Sequence, residues 1–204
     1  MTNSCKNAPI TTVCDYIARA NDVGAKLPYW EIEQVVEALL SAHNSGKTIY
    51  AFGNGASAAL ASHLVCDLSK GTAMLGGRRM RLMSLCDNTS LMTAWANDTA
   101  YEFVFAEQLK NFVQPGDVAF AISGSGNSPN VLSALKTARE NNAVTVGLTG
   151  FKGGKAKALC DICMVVPSDN MQIIEDMHAI VAHSIFTVLC ARLRTPEAIA
   201  VMAE

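Results

Sequence analysis

The chain has 204 residues, of which 50% are hydrophobic and 17% are charged, and its formal net charge at pH 7 is −2. This length is enough for one domain with a full core, and the near-neutral charge argues against a nucleic-acid or polyanion partner. No apolar stretch reaches the roughly 20 residues that a membrane span requires, and the first residues lack the features of a signal peptide. A soluble, cytoplasmic protein is therefore expected, with small anions bound by backbone amides and hydroxyls.

The predicted elements begin with two helices, at residues 9–25 and 29–45, and then change to alternating strands and helices. The later elements are strand 48–52, helix 56–69, strand 81–85, a short helix at 89–97, helix 101–112, strand 117–122, helix 129–141, strand 144–149, a loop at 150–154, a short helical turn, strand 162–166 and helix 170–193. Five short apolar strands that alternate with helices predict an α/β fold with a mostly parallel sheet. Residues 1–204 are expected to form one domain, with a helical segment at 1–46 and an α/β core at 47–194.

Two turns rich in Ser, Gly and Asn each follow a predicted strand and open a predicted helix. The asparagine turn is Ala51-Phe-Gly-Asn-Gly-Ala-Ser57, and the serine turn is Ile122-Ser-Gly-Ser-Gly-Asn-Ser128. Glycines allow close backbone approach, and the first turn of a helix offers unpaired N–H groups. In the serine turn, Ser128 is a suitable N-cap and Pro129 suits the first helical position. Either turn alone could be a plain connection, but the two together predict a site for a phosphorylated small molecule.

Histidines and acids cluster on two of the helices. His63 and Asp67 lie four residues apart, on one face of the helix that starts at the asparagine turn. On the last helix, Glu175 and His183 lie eight residues apart, about 80° around the axis, so both can point into one cleft. Two imidazoles and two carboxylates could bind zinc or relay protons between neighbouring carbons.

Each of these residues also has a structural interpretation. His63 could be a hydrogen-bonded core histidine, and Asp67 could form a surface pair with Lys70. The nearby His178 could support the sheet or a subunit contact.

Three loop features have competing interpretations. Asp87 follows a strand and could bind sugar hydroxyls, whereas Asn88 or Ser90 could simply cap the next helix. Asn97-Asp98 is typical of a turn between two helices. The loop at 150–155 is interpreted as a connector and not as a mobile rim of the cleft.

The seven cysteines are scattered and mostly lie inside apolar runs, as expected of reduced, buried residues. Cys160 and Cys163 form a C-x-x-C at the start of an apolar strand, without a second pair. Packing is therefore favoured over a metal or redox role for these two residues.

The two turns and the closing Glu175-Asp-Met-His178 with His183 resemble the SIS (sugar isomerase) domain, and more narrowly its phosphoheptose isomerase branch. The resemblance covers nearly the whole chain and includes Asn97-Asp98 and Thr149-Gly150. It implies a three-layer, flavodoxin-like or Rossmann-like fold with a five-stranded parallel sheet, and a homotetramer with sites at subunit interfaces, in which the N-terminal helices make oligomer contacts. It also implies isomerisation of sedoheptulose 7-phosphate to D-glycero-D-manno-heptose 7-phosphate, for bacterial lipopolysaccharide or capsule.

The resemblance also assigns roles to individual residues. It implies that Asp67 and His183 catalyse the reaction through a cis-enediol. The residues expected to hold zinc are His63, Asp67, Glu175 and His183. The residues expected to bind the sugar phosphate are Asn54, Gly55, Ser57, Asp87, Asn97, Asp98, Ser123, Ser125, Ser128 and Glu175, with the three serines of the serine turn on the phosphate.

Three positions depart from the family pattern: Asp67 stands for Glu, Glu175 for Gln, and Gly124 for the usual Thr. The shorter acid at Asp67 could impair proton transfer unless Glu175 compensates, and Gly124 predicts a looser backbone. Two alternatives stay open, namely a non-catalytic SIS protein that binds phosphosugars or associates with the replication initiator, and an isomerase of another sugar phosphate. Non-catalytic members usually lose the C-terminal histidine, so His183 favours an enzyme.

Overall fold

The computed structural model describes residues 9–75 and 77–194. The helices are α1 (Val13–Gly24), α2 (Tyr29–Asn44), α3 (Ala56–Ala73), α4 (Thr89–Asp98), α5 (Ala106–Phe112), α6 (Pro129–Glu140) and α7 (Met171–Leu193), with 3-10 turns at Tyr101–Phe103 and Ala156–Ala158. The strands are β1 (Thr48–Gly53), β2 (Arg81–Ser84), β3 (Val118–Ser123), β4 (Val144–Thr149) and β5 (Ile162–Val165). The first residues of the chain, on which the expectation of no signal peptide rests, lie outside the described part.

The five strands form one parallel sheet in the order β2-β1-β3-β4-β5, which confirms the predicted fold class. All six residues of β3 are buried, as expected when helices cover both faces of a parallel sheet. The strand order reverses between β1 and β3, and ligands of such sheets bind outside the carboxyl ends of the strands at this point. The asparagine turn follows β1 and the serine turn follows β3, so the topology places the two turns side by side.

Two apolar cores, one on each face of the sheet, hold the layers together. Leu39 of α2, Leu68 of α3 and Ile185 of α7 belong to the first core. Phe52 and Phe105, whose ring centroids are 5.5 Å apart, belong to the second, which α5 and α6 cover. Burying a large apolar side chain of this kind contributes about 1.5–3 kcal/mol, so these contacts fix α3 and α7 against the sheet.

Helix α7 is long and apolar enough to cross a membrane by length and composition, which the sequence analysis did not anticipate. Half of the most apolar 18-residue stretch of α7 is buried inside the structure. Ile173, Ile174, Val181 and Ile185 pack into the first core. The core helix of an α/β domain can be equally long and apolar, so the composition of α7 is explained by its packing.

Several element boundaries differ from the predicted ones, including the end of α3, which lies at Ala73 and not at residue 69. Helix α1 begins only at Val13, because Thr12 and Asp15 form a reciprocal capping box. The predicted helix 101–112 is a 3-10 turn followed by α5, and Val104 and Phe105 between them are both fully buried. The Asn97-Asp98 pair is the last turn of α4 and does not form a separate turn between helices.

Candidate active site

The asparagine turn is joined to the helix that follows the serine turn by a reciprocal amide pair. Asn54 Nδ2 donates to Asn130 Oδ1 and Asn130 Nδ2 donates to Asn54 Oδ1, both at 2.8 Å, and the Tyr101 hydroxyl donates to Asn54 Oδ1 at 3.0 Å. A side-chain amide has two donors and two acceptor positions, and these bonds use three of the four. Asn54 therefore keeps one N–H for a ligand oxygen. Sequence reasoning missed both Asn130 and Tyr101, since nothing in the spacing indicates the pairing.

Replacing Asn130 by Leu is expected to lower the free energy of unfolding by about 1–3 kcal/mol, because the Asn54 amide loses its buried partner. Urea unfolding measures this change. Tyr101→Phe removes only one of the three bonds and is the matched control, with an expected loss of about 0.5–1.5 kcal/mol. A loss from Asn130→Leu no greater than that from Tyr101→Phe would contradict the amide pair.

The serine turn presents hydroxyls and backbone amides at the N-terminus of α6. Ser123 is buried, whereas Ser125 and Ser128 are half-buried. Ser128 occupies the N-cap position with extended backbone, and Pro129 is the first helical residue, as predicted. The Ser128 hydroxyl makes no capping hydrogen bond, so it remains available to a ligand. Because a helix N-terminus also carries partial positive charge, the turn is suited to bind an anion.

The loop at 150–155 packs directly against the serine turn. Gly150 N donates to Gly124 O at 2.9 Å, Ala156 N donates to Gly126 O at 2.9 Å, and Lys155 N donates to Asn127 Oδ1 at 3.1 Å. The interpretation of this loop as a connector is incomplete, because its backbone supports the shape of the serine turn.

Gly124 occupies a tightly packed position. A Cβ added there would lie 2.5 Å from Met171 Sδ and 3.6 Å from Ile174 Cγ2. The expected loosening of the backbone is therefore opposed by packing, since side chains of α7 fill the space that a Thr would use.

A cleft of about 260 Å³ lies between the start of α3 and the first turns of α7. It is lined by Ala56, Ser57, Leu60, Glu175, Asp176, His178 and Ala179. The structure thus brings Ser57 and Glu175 together, as the sequence analysis expected from their positions.

His63, Asp67 and His183 meet further along the same pair of helices. Asp67 Oδ2 lies 3.3 Å from His63 Nε2 and 3.9 Å from His183 Nε2, and the two imidazole centroids are 5.1 Å apart. One ligand atom from each residue lies within 4.8 Å of the others, and both histidines are exposed. His63 is therefore not a core histidine, and Asp67 faces two imidazoles. The donor set of two imidazole nitrogens and one carboxylate oxygen is one that zinc accepts.

Glu175 lies outside this group. Eight residues of helix separate it from His183, which corresponds to about 12 Å along the axis of α7. Within one chain, Glu175 is not among the residues whose ligand atoms meet. Glu175 as a fourth ligand therefore remains a prediction.

The remaining candidate substrate residues, Asp87, Asn97 and Asp98, are not among those that line this cleft. Asp87 Oδ1 accepts hydrogen bonds from the hydroxyls of Ser62 and Ser84, and Asn88 caps α4 by accepting from Leu91 N. Asn97 and Asp98 are exposed, and their side chains are hydrogen-bonded to each other at 2.8 Å.

His178 supports the sheet, as one of its two interpretations predicted. It is 1% exposed, and its Nε2 lies 3.0 Å from the Thr149 carbonyl oxygen. Because a carbonyl oxygen can only accept, Nε2 carries the proton. Burial lowers the pKa of His178 to about 4, so the ring is neutral near pH 7.

A hydrogen bond between two ionisable side chains, Tyr16 and Asp176, lies at the edge of the cleft. The Tyr16 hydroxyl of α1 donates to Asp176 Oδ2 at 2.5 Å. This bond, together with the negative charge of Asp176, raises the pKa of Tyr16 to about 12. The contact ties the N-terminal helix to α7 beside the cleft.

Comparisons with known proteins agree with this architecture. The SIS domain family matches residues 15–150. The probable phosphoheptose isomerase of Thermoplasma volcanium is 36% identical over 175 residues, covering 86% of this chain and 89% of the relative. The phosphoheptose isomerase of Rhodospirillum rubrum is 41% identical over 176 residues, covering 84% and 88%. The solved phosphoheptose isomerase from Neisseria gonorrhoeae superposes with a TM-score of 0.80 at 30% identity, covering 88% of this chain and all of that one.

Proposed function

This chain belongs to the SIS domain family, and from that premise we propose that it is a phosphoheptose isomerase. It converts sedoheptulose 7-phosphate to D-glycero-D-manno-heptose 7-phosphate, as the names of its relatives indicate. The observation that carries the proposal is the cluster of His63, Asp67 and His183 on the helix that starts at the asparagine turn and on its neighbour α7.

The serine turn binds the phosphate in this proposal. The hydroxyls of Ser123, Ser125 and Ser128 donate to phosphate oxygens together with the free N–H groups at the start of α6. Asn54 donates its remaining N–H to a sugar oxygen, and Ser57 and Gly55 contact the sugar from the start of α3. Binding energy from this non-reacting end holds the carbonyl end in place for the chemistry.

Asp67 is the proposed base. Its Oδ2 faces the two imidazoles, which leaves Oδ1 to remove the proton from the carbon next to the carbonyl. The electron pair that is released forms the cis-enediol. Return of the proton to the neighbouring carbon gives the aldose, while His183 moves a proton between the two oxygens. Glu175, in the cleft with Ser57, is placed to contact the substrate.

Zinc is the proposed cofactor, held by His63, Asp67 and His183. When bound, it would polarise the carbonyl and stabilise negative charge on oxygen. The support is the chemistry of the donor set, which matches the two histidines and one carboxylate of known catalytic zinc sites.

A cytoplasmic homotetramer is the proposed assembly, and heptose synthesis for lipopolysaccharide or capsule is the proposed pathway. The N-terminal helices expose large apolar side chains, with Val13 80%, Tyr29 63% and Trp30 73% exposed. Exposed apolar residues of this size favour a protein interface. A second copy would also supply Asp87, Asn97 or Asp98 to a shared site.

The proposed reaction is tested by incubating the protein with sedoheptulose 7-phosphate, with and without zinc, and following the anomeric proton of the aldose by NMR. Formation of the aldoheptose supports the proposal. Fructose 6-phosphate serves as the comparison substrate, and faster turnover of that sugar would indicate another specificity. Binding of sedoheptulose 7-phosphate without turnover would overturn the enzyme assignment in favour of a non-catalytic phosphosugar-binding protein.

A further inference from the structure

The two thiols of the C-x-x-C, Cys160 and Cys163, lie next to Gly147 at one edge of the sheet. The proposed reaction does not use this part of the molecule. Cys163 lies on the edge strand β5, in register with Gly147 on β4. Cys160 precedes the strand and its backbone N–H donates to Ala156 O at 3.1 Å. A Cβ added at Gly147 would lie 2.7 Å from Cys160 Sγ and 3.5 Å from Cys163 Sγ. Because Gly147 has no side chain, the two sulfur atoms can lie side by side above its backbone.

The surroundings of the two thiols make them chemically different. Cys163 Sγ lies 3.5 Å from Thr149 Oγ1, and the neighbouring Cys160 thiol lowers the pKa of Cys163 to about 7 despite burial. The same contact, reinforced by burial, raises the pKa of Cys160. Cys163 is thus the better thiolate nucleophile at neutral pH, and Cys160 is the thiol beside it. Both residues are only half-buried, at the edge of the sheet.

We propose that Cys160 and Cys163 form a reversible dithiol–disulfide pair that reacts with low-molecular-weight disulfides. The Cys163 thiolate attacks one sulfur of the reagent, forms a mixed disulfide and releases one thiolate. Cys160 then loses its proton to solvent and attacks the Cys163 sulfur, which forms the Cys160–Cys163 bond and releases the second thiolate. Two protein thiols are oxidised, and one reagent disulfide is reduced to two thiols. This site goes beyond the proposed isomerase activity and does not depend on it.

The test is to treat the folded, full-length protein with oxidised glutathione near pH 7.5, alkylate the remaining thiols and map the peptides by mass. The expected result is a peptide with Cys160 and Cys163 that has lost two hydrogens, and that reacts with the alkylating reagent again after reduction by dithiothreitol. Cys160→Ser is expected to trap glutathione on Cys163, whereas Cys163→Ser is expected to leave Cys160 unmodified. Far-UV circular dichroism confirms that each variant is folded.

The exposed Cys66 serves as the internal control for access of the reagent, because it lies outside the N-terminal helices that are proposed to form an interface. Labelling of Cys66 while Cys160 and Cys163 both stay free would overturn the proposal. A stable mixed disulfide on Cys163 in the unaltered chain would also overturn it, because the two sulfurs would then be too far apart to pair.

Discussion

Replacing Asp67 by Asn is expected to lower kcat for sedoheptulose 7-phosphate by about 10²–10⁴-fold, the range typical of losing a general base. The amide keeps the shape of the side chain but cannot accept the proton from carbon. Since Asp67 lies on α3 beyond the two Ser/Gly turns, the KM for the sugar phosphate is expected to change much less than kcat. Steady-state assays across a substrate range measure both constants.

Glu175→Gln is the comparison variant that distinguishes the role of the Glu175 carboxylate from that of Asp67. Glu175 lies in the cleft with Ser57, about 12 Å along α7 from His183, so its loss is expected to change KM more than kcat. Asp22→Asn is the matched control, because this exposed acid of α1 pairs with Lys26, which follows the helix, and does not line the cleft. A larger kcat loss from Glu175→Gln than from Asp67→Asn would transfer the role of base to Glu175.

The fold was largely predictable because the sequence is locally consistent. Short apolar runs gave all five strands, and the i, i+4 spacing correctly placed His63 and Asp67 on one helix face. The sequence predicted only that His183 would face a common cleft with this pair, and not that it would lie next to Asp67. Its contact depends on how α3 packs against α7, which periodicity does not specify.

What the sequence could not reveal are contacts between distant segments. The amide pair of Asn54 and Asn130 joins residues 76 positions apart, and it forms only because β1 and β3 are neighbours in the sheet. The direction of His178 toward Thr149 depends on the same three-dimensional packing. The capping box of Thr12 and Asp15, by contrast, is a local pattern of Thr followed three residues later by an acid, which the predicted helix start at residue 9 missed.

Gly154→Ala is expected to destabilise the fold by about 2–5 kcal/mol and to raise the KM for the sugar phosphate about tenfold. Gly154 has φ +56°, and its missing Cβ would lie 2.5 Å from the carbonyl oxygens of both Ser125 and Gly126. These are backbone atoms, which cannot move without changing the serine turn. The added methyl group would therefore displace the phosphate-binding turn, although Gly154 itself carries no ligand-binding group.

Gly77→Ala is the matched control for this prediction. Gly77 has a similar left-handed backbone, with φ +81°, but a Cβ there meets nothing within 4 Å. The substitution is expected to cost about 1–2 kcal/mol from backbone strain alone and to leave the KM unchanged. Urea unfolding and the isomerase assay give both quantities for each variant. Equal KM values in the two variants would show that the loop at 150–155 connects strands without shaping the serine turn, whereas a rise confined to Gly154→Ala assigns it that supporting role.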